Sequence, residues 1–198
     1  LVFSFHHAIT DGWSVACLIN EFIQGYVNDK PINHNLDLRY GEFVRNELSV
    51  IKEQDSITFW KEYLDDLNII KANWKFDTKK SQNSLYISSF ILSSEQAKLI
   101  HKVAKDSKIS IDSIFLLVYL KTLSYFINSF DITVGLVVNN RLEKEGGDEL
   151  FGLFLNTIPF RFDLSCNDYD LAQLSEVFNT KLKFKKYQHL PYGYIKSL

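Results

Sequence analysis

The chain has 198 residues, 46% of them hydrophobic and 15% aromatic, which is enough apolar material to build a sizeable core. A formal net charge of -2 argues against the basic surface that nucleic acids or anionic membranes attract, so we expect neither as a partner. The two cysteines, Cys17 and Cys166, show no metal or redox spacing, and we expect reduced thiols in a cytoplasmic protein.

The first part of the chain predicts one strand followed by helices. Residues 2–6 alternate apolar and polar side chains, as a β-strand does. After Gly12 the apolar residues recur at helical spacing up to Tyr26, which predicts an amphipathic helix. A second helical region runs from about Tyr40 to Leu67, and we expect a break in it near Asp55–Ser56.

The middle of the chain predicts a strand and two helices. We expect a strand over 85–92, and then a helix that Ser93 or the next serine caps and that continues to about residue 105. The apolar stretch 111–127 follows Ser110 and predicts a helix that is apolar on nearly all sides and therefore central.

The last third predicts two strands and a helix. The continuous β-branched run at 132–138 is typical of a strand buried on both faces. Residues 157–164 alternate, which predicts a strand with Ile158, Phe160 and Phe162 turned inward. A final helix is expected over about 171–187.

These elements together indicate a mixed α/β fold. The polar segment 79–84 is the best candidate for a boundary, which divides the chain into parts 1–80 and 81–198. Because the chain contains no methionine and begins inside a predicted strand, we expect a piece of a longer polypeptide, truncated at both ends.

The stretch "HHAITDG" at 6–12 carries most of the functional information. Successive residues of a strand point to opposite faces, so His6 and His7 diverge and cannot easily bind one metal ion. A neutral imidazole can accept a proton at neutral pH, and Gly12 admits close approach of the backbone. These residues favour an active site without a metal.

A structural interpretation of the same stretch stays open. Asp11 is a good N-cap for the helix that begins near Trp13, and both histidines could be hydrogen-bonded turn residues. This alternative explains Asp11 well and the histidine doublet poorly.

Several segments, in order, resemble a known family. "HHAITDG" is similar to the HHxxxDG motif of the acyltransferase superfamily that includes chloramphenicol acetyltransferase, and the following "WS" resembles condensation domains of nonribosomal peptide synthetases. "FGLFLNTIPFRF" at 151–162 closely resembles the family's GxFxNTxxxR motif. Further resemblances lie in "YGEFVRNE" (40–47), "FWKEYLDDL" (59–67) and "ITVGLVVNNR" (132–141), and "YQHLPYGYI" (187–195) resembles a late motif of the family in weakened form.

The resemblance implies roles for the residues of the histidine motif. It makes His7 the catalytic histidine, as general base or positioning group, and His6 a structural member of the doublet. Asp11 would be structural and paired with an arginine upstream of the motif, outside this chain. The backbone at Gly12 would come close to the thioester, and its N–H could help to bind the oxyanion.

Further residues match the family's later motifs. Asn156, Thr157 and Arg161 match a segment that borders the substrate tunnel, and a purely structural role for them is at least as well supported. Arg141 is a further candidate for the tunnel lining, and Asn140 before it departs from the usual glycine. The late motif departs too, with Tyr187-Gln188-His189 in place of His-Gln, and no site residue is carried over from it.

The resemblance implies the central part of a two-lobed, chloramphenicol-acetyltransferase-like condensation domain. Such a domain forms an amide bond when a carrier-bound aminoacyl amine attacks an upstream acyl or peptidyl thioester. It binds no cofactor itself, because its substrates arrive on 4'-phosphopantetheine arms of upstream and downstream peptidyl carrier domains, and an adenylation domain lies in the same chain. This piece alone is expected to be inactive.

Two other functions stay open at this point. One is a carrier-independent acyltransferase of the same superfamily, which would acylate an alcohol or amine from acyl-CoA. The other is a non-catalytic platform that recruits a carrier or tailoring enzyme.

Overall fold

A computed structural model describes residues 2–28, 39–67, 87–165 and 170–198. The boundary predicted at 79–84 lies outside the described residues and stays a prediction. The described elements are α1 (Gly12–Asn28), α2 (Tyr40–Val50), α3 (Gln54–Tyr63), α4 (Ser94–Ser107), α5 (Ile111–Ile127), β1 (Asp131–Asn139), β2 (Leu155–Asp163), α6 (Asp170–Phe184) and α7 (Tyr192–Ile195).

The chain divides into two compact units. The first comprises Leu1–Asp65, Gly135–Phe160 and Lys185–Leu198. The second comprises Asp66–Val134 and Arg161–Phe184.

The first unit contains a small aromatic core. Phe43, Leu150 and Phe154 are buried together, with Tyr40 packed against them. Phe43 and Phe154 meet edge to face at 4.9 Å between ring centroids, a favourable arrangement for aromatic quadrupoles. This cluster joins α2 to the segment that leads into β2.

The predicted break between the first helices is confirmed, but it lies earlier than expected. α2 ends at Val50, and α3 begins at Gln54 after an extended Glu53, whose φ is -76° and ψ is 110°. The helix is therefore interrupted just before Asp55, because Glu53 has an extended and not a helical conformation.

The helix predicted over 111–127 is confirmed as α5. In the second unit α5 packs against α4 and α6. The prediction that α5 is central was wrong for the described part of the chain. One face buries Leu117 and Leu120, whereas Phe126 and Tyr125 are 66% and 84% exposed. Apolar composition shows that a face can be buried, but it does not show that a neighbour covers it.

The two strands form an antiparallel pair, since the amide of Leu164 donates to Phe130 and that of Asn140 donates to Phe154. The alternation predicted for β2 is confirmed, with Ile158, Phe160 and Phe162 buried. The prediction that β1 is buried on both faces was wrong. Ile132 on one face is 1% exposed, whereas Val137 on the other face is 62% exposed.

The two other predicted strands are not formed in the described residues. Residues 2–6 and 87–92 carry no strand hydrogen bonds there, and Val2 and Ile87 are exposed. A strand exists only by pairing with a neighbour, and local alternation does not supply one. The part of 85–92 before residue 87 lies outside the described residues.

No single described helix has the length and hydropathy of a membrane span, and only the pair α4 and α5, bent by 106° at their junction, meets that criterion together.

The start of α4 confirms the predicted cap and yields a first testable prediction. Ser93 Oγ accepts the amide of Gln96 at 3.2 Å, and Gln96 Oε1 accepts the amide of Ser93 at 2.9 Å, a reciprocal capping box. We expect Ser93→Ala to lower the free energy of unfolding by about 1 kcal/mol, because an amide of the first turn loses its acceptor.

Urea denaturation followed by circular dichroism measures this loss, with Ser94→Ala as the matched control at the next position. An equal loss in both variants would show that the capping box is not the cause.

Candidate functional site

Asp11 joins the start of α1 to a distant segment of the chain. It is 1% exposed and caps the helix, since its Oδ1 accepts the amide of Ser14 at 2.8 Å. Its own amide donates to the carbonyl of Gly152 at 3.1 Å, and its Oδ2 accepts the amide of Phe154 at 3.1 Å. The cap predicted from the sequence is therefore confirmed, and it is one of several bonds that this side chain makes.

The charge of Asp11 is paired with Arg141. Arg141 Nη2 lies 2.9 Å from Asp11 Oδ1, and the two side chains are 9% and 2% exposed. The resemblance implied a partner arginine upstream of the motif, outside this chain, and that stays a prediction. Within the chain, Arg141, at the end of the segment 132–141, pairs with Asp11. The guanidinium of Arg141 binds backbone carbonyls, and the candidate role of Arg141 in the tunnel lining stays a prediction.

Four groups besides Asp11 contact the guanidinium of Arg141. Nη1 donates to the carbonyls of Leu150 at 2.7 Å and Gly147 at 3.3 Å, and Nη2 donates to Ser14 Oγ at 2.6 Å. The guanidinium also lies over the ring of Phe154, 4.2 Å from its centroid.

Ser14 completes this network and was missed by sequence reasoning. Its Oγ donates to the carbonyl of Gly152 at 2.8 Å and accepts the amide of Gly152 at 3.0 Å. Its position in the sequence could have indicated this role. Ser14 lies three residues after the capping Asp11, in the first turn of the helix, where a buried hydroxyl contacts the segment that packs on that turn.

The surroundings of Asp11 keep its carboxylate ionised. Burial alone raises the pKa of Asp11, but hydrogen bonds from the amides of Ser14 and Phe154, the Ser14 hydroxyl and the charge of Arg141 outweigh it. The net effect is a pKa below the ordinary value, so Asp11 is a structural anion rather than a proton donor.

His7 is oriented by the residue that precedes Asp11. Its Nδ1 lies 2.9 Å from the carbonyl oxygen of Thr10, which can only accept, so Nδ1 carries the proton in the neutral ring. This tautomer leaves a lone pair on Nε2. The His7 side chain is exposed, whereas Thr10 is fully buried. A fixed backbone therefore holds an imidazole whose other nitrogen can accept a proton.

His6 has a different, local partner. Its Nδ1 accepts the amide of Ala8 at 3.0 Å, and its carbonyl accepts the amide of Ile9 at 3.1 Å. His6 thus stabilises the turn that carries His7.

Gly12 is the first residue of α1 and is exposed. A Cβ placed there would meet no atom within 4 Å, so packing within the chain does not require glycine at this position. The open space beside the first turn leaves room for a ligand at the positive end of the helix.

The later candidate residues make structural contacts. Asn156 Nδ2 donates to the carbonyls of Gln188 and Leu190, both at 2.8 Å, and its Oδ1 accepts the amides of Thr157 and Tyr192. Asn156 therefore fastens the segment 188–192, which is a structural role.

Arg161 belongs to the second unit, whereas the residues around Asp11 belong to the first. Its Nε and Nη2 bind the carboxylate of Asp131 at 2.9 and 2.7 Å, a bidentate pair across the two strands. The described residues contain no group of three or more His, Cys, Asp or Glu that could hold a metal ion.

The ion pair yields a prediction about pH. Because the pKa of Asp11 is lowered on folding, its contribution to stability is present above the unfolded value near 3.9 and is lost as the pH falls through the folded value. Asp11→Asn should lower the free energy of unfolding at pH 7 by about 3–5 kcal/mol, since it leaves Arg141 buried without its counter-charge.

Urea denaturation of both proteins at pH 7 and at successive values below 4 measures the difference, which should shrink as the pH falls. Asp148→Asn is the matched control, because Trp13 and Cys17 bind the backbone carbonyl of Asp148 and not its carboxylate. A difference that stays constant with pH would contradict the assigned ion pair.

Comparisons with known proteins identify the family and the fold of the chain. The family model described as "Condensation domain" matches residues 1–198. Tyrocidine synthase 3 of Brevibacillus parabrevis is 26% identical over 96% of this chain, which spans 3% of that synthase. The chain thus corresponds to a small part of a much longer relative.

Two solved structures share the fold. The first condensation domain of the calcium-dependent antibiotic synthetase, in complex with a substrate analogue, gives a TM-score of 0.74 at 13% identity, with 94% of this chain and 44% of that chain covered. The four-domain nonribosomal peptide synthetase holo-AB3403, bound to AMP and glycine, gives a TM-score of 0.74 at 20% identity. The match covers 96% of this chain and 15% of that chain. The predicted chloramphenicol-acetyltransferase-like, mixed α/β fold is confirmed.

The family resemblance read from the motifs is confirmed as well, since the relatives are peptide synthetases and the structural matches are condensation domains. With a family model that matches the whole sequence, this chain belongs to the condensation domain family.

Proposed function

We propose that this chain carries the histidine motif of a condensation domain that forms peptide bonds. The amine of a carrier-bound aminoacyl group attacks the thioester of an upstream acyl or peptidyl group, an amide forms, and the upstream thiol leaves. Condensation domains of nonribosomal peptide synthetases are acyltransferases of this kind. The observation that carries the proposal is the exposed imidazole of His7, held through Nδ1 with Nε2 left to accept a proton.

The chemistry requires a neutral amine and the removal of one proton. His7 Nε2 accepts that proton from the attacking amine as the new C–N bond forms, and the proton is then available to the leaving thiolate. The Nδ1 bond to Thr10 fixes the tautomer that leaves Nε2 unprotonated. The hydrogen bond at Nδ1 and the tautomer that it fixes both make Nε2 of His7 the proton acceptor.

The developing oxyanion needs a donor near the same point. Gly12 begins α1, so the positive end of the helix lies five residues after His7, and its open surroundings admit a substrate. Asp11 and Arg141 neutralise each other inside the network, so neither charge competes for the reacting groups.

The partners follow from the same reaction. We propose upstream and downstream carrier domains whose 4'-phosphopantetheine arms deliver both substrates, with an adenylation domain in the same polypeptide and a cytoplasmic location. The relatives support the multidomain setting, since this chain spans 3% of tyrocidine synthase 3 and 15% of the four-domain synthetase. Within this proposal the domain binds no cofactor of its own.

The proposal predicts that transfer depends on His7. In a condensation domain of full family length that carries this sequence, we expect His7→Ala to slow transfer about 10²–10⁴-fold, the usual worth of a positioned base. An upstream carrier loaded with an acyl thioester and a downstream carrier loaded with an aminoacyl thioester are followed by intact-protein mass spectrometry.

His101→Ala is the matched control, since it removes an exposed histidine on α4. A wild-type rate in His7→Ala would contradict base catalysis. Carrier-independent transfer from acyl-CoA, or carrier binding without any transfer, would contradict the proposed reaction and favour an ordinary acyltransferase or a recruitment platform.

A further inference from the structure

Tyr40 closes tightly on the segment that holds Asp11. It is the first residue of α2, and its Oη donates to the carbonyl of Leu153 at 2.9 Å. Its ring lies against the backbone of Gly152, where an added Cβ would come within 2.4 and 2.5 Å of two ring carbons. Only glycine leaves space for the ring at that point, so the two residues fit each other.

The residues on either side of Leu153 are the ones that bind Asp11. The carbonyl of Gly152 accepts the amide of Asp11, and the amide of Phe154 donates to its Oδ2, each at 3.1 Å. Tyr40 therefore fixes the middle residue of a three-residue segment whose two ends hold the backbone and the side chain of Asp11.

Asp11 in turn fixes the residue that orients His7. The carbonyl of Thr10, which binds His7 Nδ1 at 2.9 Å, belongs to the same peptide group as the Asp11 amide. Because a peptide group is planar, the direction of the Thr10 carbonyl is set by the bond from the Asp11 amide to Gly152. A shift of Gly152 rotates this peptide and moves the acceptor of His7.

We propose that Tyr40 is a positioning residue that sets the tautomer and orientation of His7 through Gly152 and the peptide joining Thr10 to Asp11. The catalytic consequence rests on the function proposed above, whereas the effect on the His7 ring does not.

The surroundings of Tyr40 suit it to this role. Burial raises the pKa of Tyr40, the carboxylates of Glu47 and Asp11 raise it further, and the bond to Leu153 lowers it only in part. Its hydroxyl therefore stays protonated and keeps donating throughout the neutral range.

The aromatic ring and the hydroxyl of Tyr40 are separable. The ring packs against Phe43 at 5.5 Å and Phe154 at 5.2 Å between centroids, a purely structural contact. Tyr40→Phe keeps this packing and removes the bond to Leu153, so it tests positioning without removing part of the core.

The closing experiment compares Tyr40→Phe with Tyr26→Phe, which alters an 83% exposed tyrosine of α1. Nitrogen-15 NMR of labelled histidine reports the tautomer of His7. We expect the Nδ1-protonated form in the wild type and in Tyr26→Phe, and a mixture of tautomers in Tyr40→Phe. In the full-length domain, kcat of Tyr40→Phe should fall on the order of 10-fold with KM unchanged, since orientation is lost and binding is not.

A wild-type His7 spectrum in Tyr40→Phe overturns the proposal, whatever the activity. A changed spectrum with wild-type kcat supports positioning by Tyr40 and removes base catalysis by His7. If the wild-type domain transfers nothing, the proposed function fails while the NMR comparison still decides the role of Tyr40.

Discussion

The buried ion pair of Asp11 and Arg141 is the constraint on which the site depends. Removing two charges from water costs several kcal/mol for each ion, and the pair forms only because further groups satisfy it. The amides of Ser14 and Phe154 bind the carboxylate, and the carbonyl of Leu150 binds the guanidinium. Residues 10–14, Arg141 and 150–154 must therefore all be in place before the pair is stable.

This constraint also explains which features could be predicted from the sequence. The cap by Asp11, the helices α4 and α5 and the alternation of β2 depend on local spacing, and local spacing predicted them. The partner of Asp11 lies 130 residues away, and no local pattern identifies it. The strand predicted at 2–6, and the described part, 87–92, of the strand predicted at 85–92, are not formed for the same reason, since alternation indicates a face but not a neighbouring strand.

The two departures from the family motifs meet in space. Asn140 replaces the usual glycine, and its Nδ2 donates to the carbonyl of Gln188 at 3.1 Å, within the altered late motif. Asn156 donates to the same carbonyl at 2.8 Å. Gln188 thus receives one bond from each strand end, which places the altered residues in a single local structure.

The contacts of the polar side chains around the histidine motif show which of them are structural and which is available to a substrate. The guanidinium of Arg141 donates to Asp11, Ser14 and Leu150 and packs over the ring of Phe154. Its charge is therefore bound by groups inside the protein. Asp11 uses both carboxylate oxygens on the protein itself. His6 and His7 are both exposed and both have a bonded Nδ1, but only in His7 does that nitrogen donate, which leaves the lone pair on Nε2. Because the charges of Asp11 and Arg141 are paired inside the protein, no unpaired charge of this pair faces the exposed ring of His7, which suits neutral amine and thioester substrates.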